Sequence, residues 1–397
     1  MIAPPLAGVR VLELARILAG PWAGQLLADL GADVIKVESP DGDDTRRWGP
    51  PFVERVDGEA GDAAYFHACN RGKRSIAIDL RTESGRDVVK QLIARSDVLI
   101  ENFKVGDLKK FGLDYDQVCA LNPRLIYCSI TGFGQDGPYA PRPGYDFVAQ
   151  GLSGVMDLTG EPDGDPQKIG VAFADLFTGL YAVVAIQAAL HERTRSGQGQ
   201  RIDVALLDTM VGVLANQALN YLVSARSPRR LGNVHPNIAP YQAFQAKDGP
   251  FTLAVGNDRQ FESLCVAFSA APLTDDPRFK TNASRVAHRE ELAQALSAIF
   301  AQLPRDEVLA RCVSAGVPAG GINTVAEVFE DPQVRARGLR KALAAPWAKG
   351  GVVPGVRTPI QFSRSGLADG RVSPLLGEHA EQILAELTRA VGEPPTD

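Results

Sequence analysis

The chain has 397 residues, 45% of them hydrophobic and 22% charged, with a formal net charge of -5. That composition is soluble and globular, with room for two domains, and no block of like charge marks a nucleic-acid or membrane surface. Cys69, Cys119, Cys128, Cys265 and Cys312 stand singly and no HExxH pattern occurs, which argues for reduced thiols in a cytoplasmic protein and against a disulfide frame or a metal centre.

The N-terminal "MIAPPLAGVRVLELA" lacks the basic start and apolar stretch of a secretory signal. "VRVLELA" (9–15) reads as a strand and "PWAGQLLADLG" (21–31) as a helix, with Pro21 early and Gly31 as its stop. Further strands are expected at "DVIKVE" (33–38), "RSIAIDL" (74–80), "DVLIENF" (97–103) and "RLIYCSITGFG" (124–134). Helices alternate with them, at "TESGRDVVKQLIARS" and "YDQVCALN". This alternation predicts an α/β fold with a doubly wound parallel sheet, whose ligands lie beyond the carboxyl ends of its strands.

A long apolar helix is expected from about Ala174 to Arg195; Gln187 and its flanking charges make it a buried helix rather than a membrane span. "RIDVALL" and "DTMVGVLANQALNYL" follow as strand and helix. Composition shifts at 224–240, rich in Pro, Arg and Asn, which reads as a linker. "YQAFQAKDGPFTLAVG" reads as a hairpin turning at Asp248-Gly249. Helices near 257–269, 284–303 and 304–314 complete a smaller α+β domain. The expected domains are 1–223, 224–330 and a return segment, 331–397, packing on the first.

Gly132, Gly134 and Gly137 have G-x-G-x-x-G spacing after a strand, but "PYAPRPG" follows. Prolines there prevent a regular helix, so the run is a glycine-rich turn and not a dinucleotide site. An NAD-dependent oxidoreductase is set aside on that ground. No GxxxxGK[ST] run supports ATP-driven chemistry. Asp175 sits alone inside "KIGVAFADLFTGLYAVVAIQAAL". It is either a helix cap or dipole partner, or a carboxylate kept ionised by the helix start and able to act as a nucleophile. Tyr145 and Asp146 lie just before another helix, where Asp146 reads as an N-cap. Arg46, Arg47 and Trp48 share one loop, and "NRGKRS" (70–75) another; each is surface charge or an anion clamp.

The blocks "PLAGVRVLEL", "AGPWAGQLLADLGADVIKVE", "NRGKRSIAIDL", "VLIENF", "NPRLIYCSITGFGQDGP", "GYDFVAQ", "GQGQRIDVALLD" and "PLLGEH" occur in this order around the Asp175 segment. Together they resemble the class III coenzyme A transferases, the family of formyl-CoA transferase and carnitine CoA-transferase. "GDDTRRWGPPFV", "PYQAFQAKDG" and "GNDRQF" lean toward its succinyl-CoA:glutarate (hydroxymethylglutarate) branch. The resemblance implies a Rossmann-like large domain with a smaller one, in an interlocked homodimer. It implies an enzyme that binds no permanent cofactor and uses coenzyme A thioesters and small carboxylic acids as substrates. CoA would pass from an acyl-CoA such as succinyl-CoA to a dicarboxylate such as glutarate or hydroxymethylglutarate. Asp175 falls on the family's catalytic aspartate.

The same resemblance places Arg16, Ile17, Leu18, Arg46, Lys73, Arg74, Asn102, Phe103 and Lys110 against CoA, with Tyr145 and Asp146 beside the reacting centre. Arg46, Arg71 and His235 are the candidates to hold a distal carboxylate. Ser39, Pro143 and the short "VGND" (255–258) depart from formyl-CoA transferase, which points away from formate or oxalate. The alternative on the same fold is α-methylacyl-CoA racemase, whose pattern has His where this chain has Tyr145; a phenol of ordinary pKa ~10 is a poor base at neutral pH. A non-catalytic CoA-binding protein is the alternative of another class.

Overall fold

The structure is a computed structural model and describes residues 3–388. The chain divides into two compact units. One holds the residues up to 155, 168–225 and those from 332 on; the other holds 156–167 and 226–331.

In the first unit, β1 (Arg10–Glu13) and β2 (Asp33–Glu38) are followed by a small antiparallel pair, β3 (Phe52–Glu54) and β4 (Ala60–Ala63). Then come β5 (Arg74–Ala77), β6 (Val98–Glu101), β7 (Ile126–Thr131) and β8 (Arg201–Ala205). All but the β3–β4 pair form one parallel sheet in the order β5-β2-β1-β6-β7-β8. Counted along the chain, this is the strand order of a Rossmann sheet; the alternating pattern predicted a parallel doubly wound sheet, and the family resemblance a Rossmann-like one. The order reverses between β1 and β6, so a ligand crevice belongs beyond Glu13 and Glu101.

The helices are α1 (Ala19–Asp29), α2 (Ala64–Asn70), α3 (Glu83–Ala94), α4 (Tyr115–Val118), α5 (Asp146–Leu152), α6 (Val155–Leu158), α7 (Phe173–Ser196), α8 (Leu206–Gly212) and α9 (Asn216–Ser224). The period of 2 along each strand splits its side chains between two cores. Val11, Val98, Ile100 and Cys128 pack with Leu27 of α1 and Ile186 of α7. Leu12, Ile35 and Leu99 face the other way, onto Val89 and Ile93 of α3 and Ile383 and Leu387 of helix Ala380–Thr388. Such fully buried side chains contribute about 1.5–3 kcal/mol each. The tail helix is also tied down by charge, since Glu386 pairs with Arg74 at 2.7 Å. The predicted tail extends to 397, and 389–397 lie outside the described residues.

Two backbone features position the start of α7. A Cβ on Gly179 would stand 2.7 Å from the Ala19 carbonyl oxygen and 3.1 Å from Trp22 Cδ1, so only glycine lets α7 lie this close to α1. Gly132, after β7, meets Gly144 back to back: a Cβ on either would fall 2.2–2.4 Å from the other's Cα. The glycine-rich turn therefore serves close packing, and it draws Tyr145 and Asp146 toward the carboxyl end of the sheet.

The single helix expected over 208–222 is two. Ala215 takes φ +47, which breaks the α-helical hydrogen-bond ladder between α8 and α9. The expected 284–303 helix likewise divides, at His288, into Asn282–Ala287 and Arg289–Phe300. In the second unit β9 (Tyr241–Gln245) and β10 (Pro250–Ala254) form the predicted hairpin, and β11 (Ala319–Gly321) pairs with β10. Phe244, Phe251 and Phe300 centre its core, with Phe251 and Phe300 edge to face at 5.3 Å. A further hairpin, β12 (Arg340–Ala344) and β13 (Val352–Val356), belongs to the first unit.

Candidate active site

Two cavities lie at the switch point. The larger, about 420 Å³, is lined by Leu14, Arg16, Arg47, Arg81, Phe103 and Phe111 among others. The second, about 200 Å³, brings together Arg16, Ile17, Leu18, Asn102, Phe103 and Tyr145 with Asp175. Arg16 and Phe103 border both.

Asp175 stands in the first turn of α7, and it does not cap that helix. Asp146 does: its Oδ1 accepts the backbone N–H of Ala174 at 2.7 Å and of Asp175 at 3.3 Å. The sequence reading made Asp146 the N-cap of its own helix; α5 instead has Tyr145 in that place, without a side-chain bond. Asp146 is held by buried Gln150, whose Nε2 donates to Oδ2 at 2.7 Å while its Oε1 accepts Ile169 N–H at 2.9 Å. Among the described residues no donor is directed at the Asp175 carboxylate. A carboxylate relieved of capping and facing a cavity is available for chemistry.

Its electrostatics differ from the expectation that the helix start keeps it charged. Burial, and then the neighbouring Asp146 carboxylate, push its pKa up to about 7. Tyr65, which the sequence reading passed over, belongs to the same surroundings. Its hydroxyl is pushed up to about 12, by burial first and by the charge of Asp175 next. Trp48 meets the Tyr65 ring edge to face at 5.5 Å. The signal for Tyr65 was faint, one of two adjacent aromatics at the start of a short helix.

The remaining predicted residues divide by burial. Arg16 is largely exposed and pairs with Asp44 at 2.9 Å. Asn102 spends its amide on the Arg16 backbone, accepting its N–H at 3.0 Å and donating to its carbonyl at 2.7 Å. Lys110 pairs with Asp107 at 3.1 Å. Four cations assigned to the nucleotide or the acid are instead turned into the fold, and none of them lines either cavity. Lys73 donates to Glu13, Pro21 O and Asn70 Oδ1, which uses all three of its protons. Arg46 binds Glu38 through two nitrogens, pairs with Asp62 and lies over the Phe66 ring. Arg74 pairs with Asp33 and Glu386, and Arg71 with Asp29. Cations this buried stay inside because each has a carboxylate, and withdrawing one would strand that charge. Arg47 and Arg81 join Arg16 as exposed cations on the larger cavity; Arg81 follows β5 and is not marked by any local sequence pattern. His235 lies in the second unit, where its Nδ1 accepts Asn237 N–H at 3.1 Å and its ring rests on Tyr241.

The family model for CoA-transferase family III matches residues 6–380. The chain is 59% identical over 385 residues to the succinate–glutarate CoA-transferase of Agrobacterium fabrum, covering 97% of this chain and 96% of that protein. It is 44% identical over 386 residues to the mouse succinyl-CoA:glutarate CoA-transferase, covering 97% of this chain and 87% of that one. Among solved structures, a CAIB/BAIF family protein from Brucella suis superposes with TM-score 0.86 at 60% identity, covering 98% of this chain and 100% of that one.

Proposed function

The chain belongs to CoA-transferase family III and is an enzyme of that class, and from that premise we propose that it moves CoA between dicarboxylic acids with Asp175 as nucleophile. The observation that carries the assignment is the division of labour at the start of α7. Asp146 caps the helix, and Asp175 lines the cavity with no partner for its carboxylate among the described residues.

The Asp175 carboxylate attacks the thioester carbonyl of the donor, forming a mixed anhydride and expelling CoA thiolate. The thiolate attacks the aspartyl carbonyl, which leaves an aspartyl-CoA thioester and releases the first acid. The acceptor carboxylate then attacks that thioester, giving a second anhydride and thiolate. Attack of the thiolate on the acceptor's carbonyl yields the new acyl-CoA and restores Asp175. One thioester is exchanged for another, so no external energy source is required. Asp175 must be ionised to begin, so turnover falls as pH drops through about 7.

The larger cavity suits the nucleotide end of CoA, with Arg47 and Arg81 for phosphate and Phe103 and Phe111 for the base. The pantetheine arm passes Arg16 and Phe103 into the smaller cavity. Arg16, Lys104 and Arg142 line that cavity and offer positive charge to a distal carboxylate, a role that buried Arg46 and Arg71 are not placed to fill. The succinate, succinyl-CoA and glutarate named for the relatives support dicarboxylates as substrates. The test is a panel in which succinyl-CoA meets glutarate, hydroxymethylglutarate, malate, itaconate, oxalate, formate and carnitine. Glutarate or hydroxymethylglutarate should outpace formate and carnitine at least about tenfold, the scale of one charge-assisted contact. Exchange confined to monocarboxylates would contradict the assignment. The racemase reading predicts deuterium uptake from heavy water by a chiral 2-methylacyl-CoA, and none is expected.

We also propose that two copies associate. Helix α7 is apolar enough over its length to cross a membrane, yet it carries Asp175 in its first turn and Arg193 and Arg195 in its last. Leu180, Tyr181 and Val184 on it, and Leu222 and Val223 on α9, are exposed in the single chain. Apolar surface of this kind is ordinarily covered by a partner. Light scattering should return twice the chain mass, and a monomer at micromolar concentration would refute it.

A further inference from the structure

Residues 14–18 join β1 to α1, and Arg16, Ile17 and Leu18 form a wall of the cavity that holds Asp175. Within that wall Ile17 has φ +73. A β-branched residue in the left-handed region is a steric outlier and persists only where its surroundings fix it. The fixing groups are four side chains from elsewhere in the chain, two from β2 and α2 and two from the loops after β2 and β6. Lys36 Nζ donates to the Ala15 carbonyl at 2.8 Å. Asn102 binds both backbone groups of Arg16. The Asp43 carboxylate accepts Ile17 N–H, at 3.3 and 3.4 Å to its two oxygens. The buried Cys69 thiol donates to the Ile17 carbonyl at 3.6 Å.

Asp43 is the keystone of this set. It is 3% exposed, and it receives Thr45 N–H and Oγ1–H at 3.0 and 2.8 Å. Its other oxygen pairs with Lys36 at 2.9 Å, and Lys36 in turn pairs with Glu13 at 3.1 Å. The Glu13 carboxylate also takes Lys73, and it lies so close to α1 that a Cβ on Gly24 would stand 1.8 Å from it. The mechanism above uses none of these buried charges. Yet together they end on the one strained residue of the cavity wall.

We propose that Asp43 is a positioning residue for acyl transfer: by bridging Lys36 and the Ile17 amide it holds Ile17 left-handed and so fixes the wall that presents the thioester to Asp175. The proposal rests on the reading of Asp175 as nucleophile. Attack requires the reacting atoms about 3–3.5 Å apart, and a misplacement of about 1 Å costs on the order of 10²-fold in rate.

The experiment compares the full-length wild type, Asp43→Asn, Ile17→Gly, the double variant and Asp175→Ala in succinyl-CoA-to-glutarate transfer. Asp43→Asn should lower kcat by about 10–100-fold and change KM for succinyl-CoA by much less: Asp43 and Arg16 also border the larger cavity, but the phosphate and base partners proposed there, Arg47, Arg81, Phe103 and Phe111, are not held by Asp43. Adding Ile17→Gly should restore kcat at least several-fold, because glycine takes positive φ without steric cost. Additive losses in the double variant, or a lower melting temperature for Asp43→Asn with kcat per folded enzyme unchanged, would overturn the proposal. If Asp43→Asn does not fold, Ile17→Gly is compared with Ile17→Ala in the otherwise natural chain. Ile17→Gly should melt higher, and the reverse order would overturn the proposal. If Asp175→Ala transfers CoA normally, the nucleophile assignment fails on its own and is seen to do so separately.

Discussion

Asp175→Ala lowers CoA transfer by at least about 10³-fold while free CoA still binds within a few-fold of wild type. The carboxylate enters covalent bonds in the proposed cycle and accepts no hydrogen bond and forms no ion pair among the described residues, so its removal deletes the chemistry and little else. Asp175→Asn tests the same point with the shape kept, and it carries a second signature. The folded-state pKa of Asp175 is raised above that of an unfolded aspartate, to about 7. An ionised Asp175 therefore penalises the folded state once pH passes the unfolded value near 4, and the penalty is full above about 7. Asp175→Asn should gain on the order of 1–2 kcal/mol at pH 8, after allowance for partial exposure, and the gain should vanish below about pH 4. A variant less active but also less stable at pH 8 would mean that the carboxylate has a structural task.

Asp146 is predicted to act on both the helix and the nucleophile, and two substitutions separate these effects. Asp146→Asn keeps an acceptor for the Ala174 and Asp175 amides but removes the charge that raises the pKa of Asp175. The acid limb of the pH–rate profile should move below its wild-type position near 7, with kcat at pH 8 within about tenfold of wild type. Asp146→Ala also removes the cap and leaves buried Gln150 without its partner. It should cost about 1–3 kcal/mol of stability and considerably more activity, because the first turn of α7 carries Asp175. An unmoved acid limb in Asp146→Asn would show that burial alone sets the pKa.

What could be read beforehand followed local physics. β2 was predicted at its observed bounds, because a β-branched run between a glycine and a polar loop has few other solutions. The parallel sheet followed from strands alternating with helices. Asp175 stood out because a charge inside an apolar run demands a reason. The split at Ala215 was not legible, since nothing in "VGVLANQAL" marks a residue with positive φ. Nor was the fate of the cations. "NRGKRS" looks like an anion clamp, but Lys73 and Arg74 find their carboxylates at Glu13, Asp33 and Glu386, far off in the chain. Asp146 could be read as a cap, but which helix it caps depends on a 28-residue separation closed by the fold. Arg81 reaches its cavity, and Tyr65 the surroundings of Asp175, for the same reason, through tertiary placement rather than local pattern.

The most direct measurement is mass spectrometry of the enzyme quenched in acid during turnover with succinyl-CoA and glutarate, followed by peptide mapping. The account predicts a peptide carrying Asp175 whose mass has grown by CoA less water, and which hydroxylamine converts to the hydroxamate. Transfer proceeding at full rate with no adduct on that peptide, or with the adduct on another carboxylate, would contradict it.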